Sequence, residues 1–438
     1  MLAYRGAATM MLVTLLVIAT SIIVMGSARA LFYQIQQSHN EVAARQAHWQ
    51  IEGGLECVYS QVQILDDPFA LKGLSQCQAA MQLDSLSVEV GIPIVVRATR
   101  GFMTHQKSFR LPQLTIKSPI TAVSDLIING AITVSPEPGN RVAPHRWACV
   151  SVRYQNRFFA TSYSTLHPYL TAKSSRYFPQ SNAQGQHQCA PESYTDFTWQ
   201  LSSTSNDFVQ VHKIDAFHEV FNVPRTRWLT VMKDESTFGY IPSGLMKLSV
   251  KQASDLPVAQ FISDCGEAIV KQIQNNKNAL WLYGSCELEP KDLRNINAAI
   301  RSYFKGSGIL LVIHNGILSI SGDLALNGLV YQLITDEFWA YDKTARLVDW
   351  SKTKNDDRIA STIDEIHAFS LPIVRGEQSV SYFQNGAFFP TGGLILDAPN
   401  TYAVVNTSLN TQYQKQITER LARKWHGRQW VSGSWNDQ

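Results

Sequence analysis

Three sets of residues in this chain have types and spacings that could do chemistry. The first is six cysteines. They fall in sequence-local couples, Cys57 with Cys77, Cys149 with Cys189 and Cys265 with Cys286. Locality favours these couples as disulfides among the possible pairings. A bridge closing a loop near 20 residues contributes about 3 kcal/mol on the chain-entropy account. Zinc fits poorly, because there is no Cys-x-x-Cys and no His-x₃₋₅-His tract near a cysteine couple. The second set is acidic: Asp349, Asp356-Asp357 and Asp364-Glu365. These could bind Ca²⁺, but the EF-hand spacing is absent and a solvated acidic face is the simpler reading. The third set lies at the C-terminus. Leu409, Tyr413, Ile417, Leu421 and Trp425 recur every four residues, flanked by Lys415, Arg420, Arg423, Lys424 and Arg428, with Trp430 and Trp435 following. Basic plus aromatic is the composition of a surface that tracks phosphates and stacks bases, so Arg420, Arg423, Lys424, Arg428, Trp425 and Trp430 are candidate contacts to DNA or another surface. The competing reading is a final helix packed on the core.

Motifs of enzymes are missing. There is no His-Glu-x-x-His, no Gly-x-Ser-x-Gly, no phosphate-binding loop and no dinucleotide fingerprint. The 11 histidines are scattered, and His314, beside Asn315, reads as a solvated or capping residue at a turn. No catalytic residue, metal or cofactor is assigned, and a binding or structural role is expected.

The elements that carry these residues begin with an unusual N-terminus. Apart from Arg5, no charge occurs before Arg29. The run from Ala7 to Ala28 is long enough to span a bilayer core as a helix. Arg5 on its short side places the N-terminus in the cytoplasm and the rest beyond the membrane, where disulfides persist. A cleaved signal ending near Ser27-Ala28-Arg29-Ala30 is the alternative. Beyond the run, Ile51, Leu55, Val58, Val62 and Leu65 share one helical face, while Gln34, Gln36, Asn40, Glu41 and Arg45 fill the other side. One helix from about Ala7 to about Leu65 is therefore expected, weakened or bent at Gly53-Gly54 and stopped by Asp66-Asp67-Pro68.

This beginning resembles type IV pilins and their minor relatives. The residues that carry the likeness are Arg5-Gly6-Ala7-Ala8, the run Leu12-Val13-Thr14-Leu15-Leu16-Val17 behind them, and Trp49 to Glu56. They look most like the PilX/GspK-like minor pilins. The resemblance implies cleavage by a prepilin peptidase between Gly6 and Ala7, followed by N-methylation of Ala7. It also implies a departure. Major pilins place a glutamate as the fifth residue after the cut, a position held here by Met11. The family carboxylate is thought to meet the N-terminal amine of a neighbouring subunit, so a chain without it would start a filament rather than enter its middle.

The body reads differently. After Met81 the pattern turns to short β-rich runs at Leu86–Val90, Ile92–Ala98 and Phe109–Ile116. Asn129-Gly130, between two apolar runs, signals a hairpin. Residues 140–260 read as a probable β-rich insertion with strands at Phe208–Val211 and Leu245–Val250. Ala268–Gln274 and the row Leu293, Ile296, Ile300, Phe304 mark two amphipathic helices around a strand at Leu280–Tyr283. From Gly308 to Leu333 short apolar segments are punctuated by Asn315-Gly316, Ser321-Gly322-Asp323 and Asn327-Gly328, which reads as stacked turns or a meander. The stretches 385–396 and 402–406 continue it, and the pattern is similar to one in the C-terminal part of PilX-like proteins.

The expected fold is α+β: a long transmembrane and amphipathic helix, then a large β-rich, disulfide-stapled head with a few helices. The expected divisions are a leader at 1–6, a membrane half of the helix at 7–28, a periplasmic half at 29–66 and a head at 67–438. At 45% hydrophobic and 17% charged the chain can bury a full core. A net charge of +3 gives no global case for nucleic acid. The resemblance implies a single-pass bacterial inner-membrane protein with a periplasmic head, moving to the pilus tip. Its partners would be other minor pilins, the major pilin, the assembly machinery and the prepilin peptidase. Alternatives are a tip adhesin or DNA-uptake receptor on the same scaffold, a type II secretion pseudopilin, and a membrane-anchored envelope enzyme.

Overall fold

The computed structural model describes residues 4–64, 74–89, 94–110, 118–134, 137–143, 146–165, 188–193, 196–198, 207–247, 250–335, 350–368, 380–407, 409–411, 413–426, 429–430 and 436–437. The chain forms two compact units. One comprises residues 1–113 with 427–438, the other residues 114–426.

The first unit is built on α1, Tyr4–Ile64. Proline is absent from it, and its 61 residues span roughly 90 Å at the helical rise. The stretch from Ala8 to Gln46 is exposed throughout. Further along, Ile51, Leu55 and Val58 are completely buried. They pack on Ile94, Val96, Ala98 and Phe109 of an antiparallel sheet, with Cys77 and Leu83 closing the side. The sheet consists of β1 (Ser85–Glu89), β2 (Ile94–Arg100) and β3 (Met103–Arg110), with Val88 opposite Val96 and Val96 opposite Lys107. Two short strands from the other end of the chain, Gln429–Trp430 and Asn436–Asp437, pair antiparallel with β3.

Gly53-Gly54 does not interrupt α1. The pair makes room instead: a Cβ on Gly53 would lie 2.7 Å from Met81 Sδ, and one on Gly54 would lie 2.4 Å from Leu83 Cδ1. These two side chains follow the short helix α2 (Leu74–Ala80), which the Cys57–Cys77 disulfide ties to α1.

The strands of the second unit begin with β4 (Ile120–Ala122), β5 (Asp125–Val134), β6 (Glu137–Ala143), β7 (Arg146–Val150), β8 (Val152–Tyr154) and β9 (Phe158–Thr165). Next come β10 (Gln188–Cys189), β11 (Asp196–Thr198), β12 (Phe208–Gln210), β13 (Phe238–Ile241), β14 (Gln260–Ile262) and β15 (Ala279–Leu288). The last are β16 (Ile309–His314), β17 (Leu318–Ser321), β18 (Ala325–Leu326), β19 (Gly328–Leu333), β20 (Val380–Asn385), β21 (Phe389–Pro390), β22 (Leu394–Asp397), β23 (Tyr402–Asn406) and β24 (Leu409–Thr411).

Most of them form one sheet in the order β11-β9-β5-β23-β20-β17-β15-β16-β19-β22-β4-β8-β12. Its centre is parallel, and β11 on β9 is antiparallel. The sheet folds within β15. Residues Ala279–Tyr283 pair with β16, and Cys286–Leu288 pair with β17. From there the chain coils. It passes along β16 and β17, returns through β18 to β19, runs on through β20 and β21, and returns again to β22 and β23. Ile309 therefore lies opposite Gly328, Val330 opposite Leu394, and Phe383 opposite Val404. The N-terminal strands stack on the last coil, with Ile120 opposite Leu394 and Ile127 opposite Val404.

Both faces of a parallel sheet are normally covered, and here they are. Inward side chains such as Leu280, Leu282, Leu311, Leu396 and Val405 pack with two helices, α5 (Cys265–Gln274) and α6 (Pro290–Phe304). The outward residues Trp281, Leu310, Val312, Tyr331 and Ile395 are covered by α3 (Ala216–Phe221), α4 (Trp228–Met232) and the helix Lys415–Ala422. Phe383, Val404 and Ile317 are covered by Trp350 and the helix Asp356–Ala368.

Several expectations are corrected. Asn129-Gly130 is no hairpin: β5 runs on through it, and β9 pairs with β5 in parallel on both sides, with a register shift between Ile128 and Ala131. Gly130 is required there because a Cβ would fall 1.4 Å from the Thr407 carbonyl oxygen of the adjacent coil. The dipeptide turns the chain between two faces, an outlet that local pattern does not distinguish from a tight reverse turn. Leu245–Lys247 is a 3₁₀ turn, not the start of a strand. The four-residue period at the C-terminus overshoots, since Leu409 lies in β24 and the helix begins only at Lys415. Inside 140–260, β8, β9 and β12 belong to the main sheet, while β6, β7 and β10 form a separate small one.

Candidate functional site

The outer part of α1 holds the first set of candidate residues. A helical window there has a mean hydropathy of 2.4 with nothing buried, so the segment is long and apolar enough to cross a membrane. Its few hydroxyls are satisfied within the helix. Thr14 Oγ1 donates to the Met10 and Met11 carbonyls at 3.0 and 2.9 Å, and Thr20 Oγ1 donates to Leu16 at 2.9 Å. Ser27 Oγ donates to Val24 at 2.9 Å. In lipid no water would take over that duty. Gly6 and Ala7 lie within the helix, and Met11 is exposed. The first carboxylate in the sequence, Glu41, pairs with Arg45 at 2.6 Å one turn on.

Nearer the sheet, polar groups fasten the helix. Glu52 accepts from Lys107 Nζ at 2.5 Å and lies 3.4 Å from His105 Nδ1. Lys107 also approaches Glu56 at 3.6 Å. His105 is buried, and its ring stands edge-on to that of His48 with centroids 4.9 Å apart. Sequence reading identified the apolar stripe but not this cluster, because β3 brings residues 105 and 107 to the helix from some 50 positions away.

The cysteines meet as three disulfides, Cys57–Cys77, Cys149–Cys189 and Cys265–Cys286. The second joins β7 to β10 and the third joins the start of α5 to β15.

The described basic and aromatic residues near the C-terminus lie at the end of the helix Lys415–Ala422 and have different surroundings. Trp425 is half-buried, edge-on to Phe221 at 4.8 Å and stacked on Phe238 at 5.6 Å. Lys424 pairs with Asp234 at 3.1 Å and donates to Thr237. Hydrogen bonds from Ser236 and Thr237, and then Lys424, outweigh burial and hold the Asp234 carboxyl well below its usual range. Arg420 is exposed and Arg423 is half-buried. Arg428 and the side chain of Trp430 lie outside the described residues, and the latter's backbone belongs to the first unit.

The acidic residues are also separate. Asp356 and Asp357 occupy the first turn of their helix, where the macrodipole favours carboxylates. Glu365 accepts from Asn129 Nδ2 at 2.8 Å. Asp364 is exposed, and Asp349 lies outside the described residues. Among the described residues no group of three His, Cys, Asp or Glu is placed to hold a metal ion.

The structure adds a buried polar group that sequence reading missed. His314, expected at a solvated turn, is the last residue of β16 and completely buried. Trp281 Nε1 donates to its Nδ1 at 3.2 Å, and Trp228 stands edge-on at 4.5 Å. Burial, and then the charge of Arg225, push its pKa down to about 3, so the ring is neutral. Nearby, Arg225 Nε donates to Asp397 Oδ1 at 3.1 Å, and Tyr331 donates to Oδ2 at 2.7 Å. Arg225 also donates to the Ile334 carbonyl. Burial raises the Asp397 pKa against the pull of Arg225. These groups pin the loop before α4 to the outer face of the sheet. Each sits in an apolar strand or loop, with no spacing that would mark it.

No protein family, curated protein or solved structure matches this chain.

Proposed function

We propose that this chain is a membrane-anchored minor pilin of the PilX/GspK-like kind, which starts and caps a type IV pilus. The reading rests on α1. Its first half offers an uninterrupted apolar surface without a carboxylate before Glu41, and its second half is fastened by Ile51, Leu55, Val58 and Glu52 to an antiparallel sheet. A helix of this form can sit in a bilayer and later exchange lipid for neighbouring helices while its head stays folded. Met11 leaves nothing to pair with a neighbour's terminal amine inside the apolar layer, where a lone carboxylate would cost several kcal/mol. Such a subunit begins an assembly and does not need to enter its interior. The second unit, carried between β3 and the last two strands, is then the exposed cap.

The test is mass spectrometry of the mature N-terminus from native membranes. Cleavage after Gly6 with a methylated Ala7 amine is expected. A chain retaining Met1, or trimmed beyond Ala28, overturns the proposal.

A further inference from the structure

The second unit carries a row of positive charge along α6. Lys291, Arg294 and Arg301 are exposed and fall within an arc of about 80° around the helix axis. Lys305, also exposed, caps the helix at its C-terminal end, so the row runs for about 21 Å. Ala298 lies between the cations on the same arc, with exposed Asn295 and Ser302 at its side. Among the described residues, none of the four cationic side chains makes a hydrogen bond or ion pair. The carboxylate of the helix, Asp292, is turned to the N-terminal cap, where it accepts from the Glu289 backbone N–H at 3.0 Å. The neighbouring α5 adds exposed Glu267 and Lys271, with Asp264 at its cap, so five exposed cations face two exposed carboxylates across both helices.

Solvation explains that these groups are charged, but not how they are arranged. The macrodipole favours cations in the last turn, where Arg301 and Lys305 stand. It disfavours them in the first turn, and Lys291 stands there unpaired. Lys291 with Arg294, and Arg301 with Lys305, are also like-charge neighbours three and four residues apart, which weakens a free helix. An anion held along the row removes both penalties.

We propose that this row docks the phosphate backbone of duplex DNA without reading its sequence. The chemistry of the row separates this partner from others. A membrane-surface helix must bury an apolar face in lipid, and the apolar face of α6, with Leu293, Ile296 and Ile300, is already buried in the core. An acidic protein would need a central apolar anchor, and the row offers only the methyl group of Ala298. A single strand would need aromatic rings among the cations for its bases, and none lies between Lys291 and Arg301. Duplex DNA needs none of these, because sequence-independent affinity comes from the phosphates that the cations neutralise. Arginine forks hold a phosphate through two N–H groups, and Asn295 and Ser302 can add single donors. The inference goes beyond the anchoring role and does not depend on how the N-terminus is processed.

The test uses the full chain in a zwitterionic detergent and a short fluorescent DNA duplex of mixed sequence, with anisotropy read over a range of salt concentrations. Binding is expected to be indifferent to sequence, and the logarithm of the association constant should fall against that of salt with a slope of about −3 or steeper. Arg294→Gln with Arg301→Gln should make the slope shallower by about two and weaken binding at least roughly tenfold at low salt. Arg294→Lys with Arg301→Lys should keep most of the slope. Lys213→Gln, an exposed position beside α3, should change neither. Both arginines are exposed, so an unchanged melting temperature controls for folding. The same assay takes a single-stranded DNA, a heparin fragment, polyglutamate and vesicles rich in anionic lipid as competitors. The proposal is overturned if the duplex does not bind, if the double glutamine variant keeps the native slope, or if any competitor displaces the duplex at a lower concentration of charge than the duplex itself.

Discussion

Asn129 Nδ2 stands 3.3 Å from Asn406 Oδ1, one coil away in the second unit, and Asn406 in turn donates to Asn385 Oδ1 at 3.2 Å. The three amides form a ladder across β5, β23 and β20, at the corner where each strand ends its lane or bulges. Glu365 caps the ladder from the side. Asn406→Ala would leave two half-buried amides short of a partner, and a cost of about 1–3 kcal/mol is expected. Gly130→Ala should cost more, about 3 kcal/mol or above, because its Cβ meets backbone rather than a movable side chain. Thermal melting of the two variants against the native chain checks the order. Equal stabilities would mean that the corner is looser than the ladder implies.

Stability of the second unit should fall in acid because of His314. Its pKa is pushed down to about 3 in the folded protein, against 6.5 for a free histidine. Above pH 6.5 both folded and unfolded chains carry it neutral, and its contribution is complete. As pH falls towards 3 the unfolded chain takes a proton that the folded one refuses, and stability drops by about 1.4 kcal/mol per pH unit. His314→Gln retains an acceptor for the Trp281 indole and should flatten this slope. A remainder is expected from His426, whose pKa burial also lowers. Denaturant unfolding between pH 4 and 7.5 provides the comparison, and identical slopes in both proteins would remove His314 from the account.

The glycines at 53 and 54 invert the usual helix rule. In an exposed helix, replacing glycine by a better helix former gains up to about 1 kcal/mol. Gly54→Val should instead destabilise the first unit by about 1–3 kcal/mol, because the added atoms meet the buried Leu83. Gly26→Ala, with open space around it, should not disturb the sheet contact. Near-ultraviolet circular dichroism on heating separates the two. A stabilised Gly54→Val would show that α1 is not seated as described.

Much of α1 is legible in the sequence, and the reason is local. Absence of charge, absence of proline and a repeating apolar face each act within a few residues, and a helix satisfies its own backbone as it forms. The amphipathic helices α5 and α6 were legible for the same reason, as was the strand between them. Sequence locality also pointed to the three cysteine couples, since short loops favour closure.

Other features depended on segments distant in sequence. An Asn-Gly pair can reverse a chain or turn it through a corner, and only the neighbouring coil, bringing Thr407 against Gly130, decides which. His314 looked like a turn residue beside Asn315-Gly316 until the packing of Trp228 and Trp281 enclosed it. Near the C-terminus, Lys424 is paired with Asp234 and Trp425 packs against Phe221 and Phe238, contacts that local composition does not reveal. Thus the chain alone determined where it would be helical and greasy, because those properties are summed over neighbours. Which polar groups are paired, which are enclosed and which remain open to a ligand was decided by tertiary contacts, because hydrogen bonding and burial belong to pairs of residues whose meeting no local pattern records.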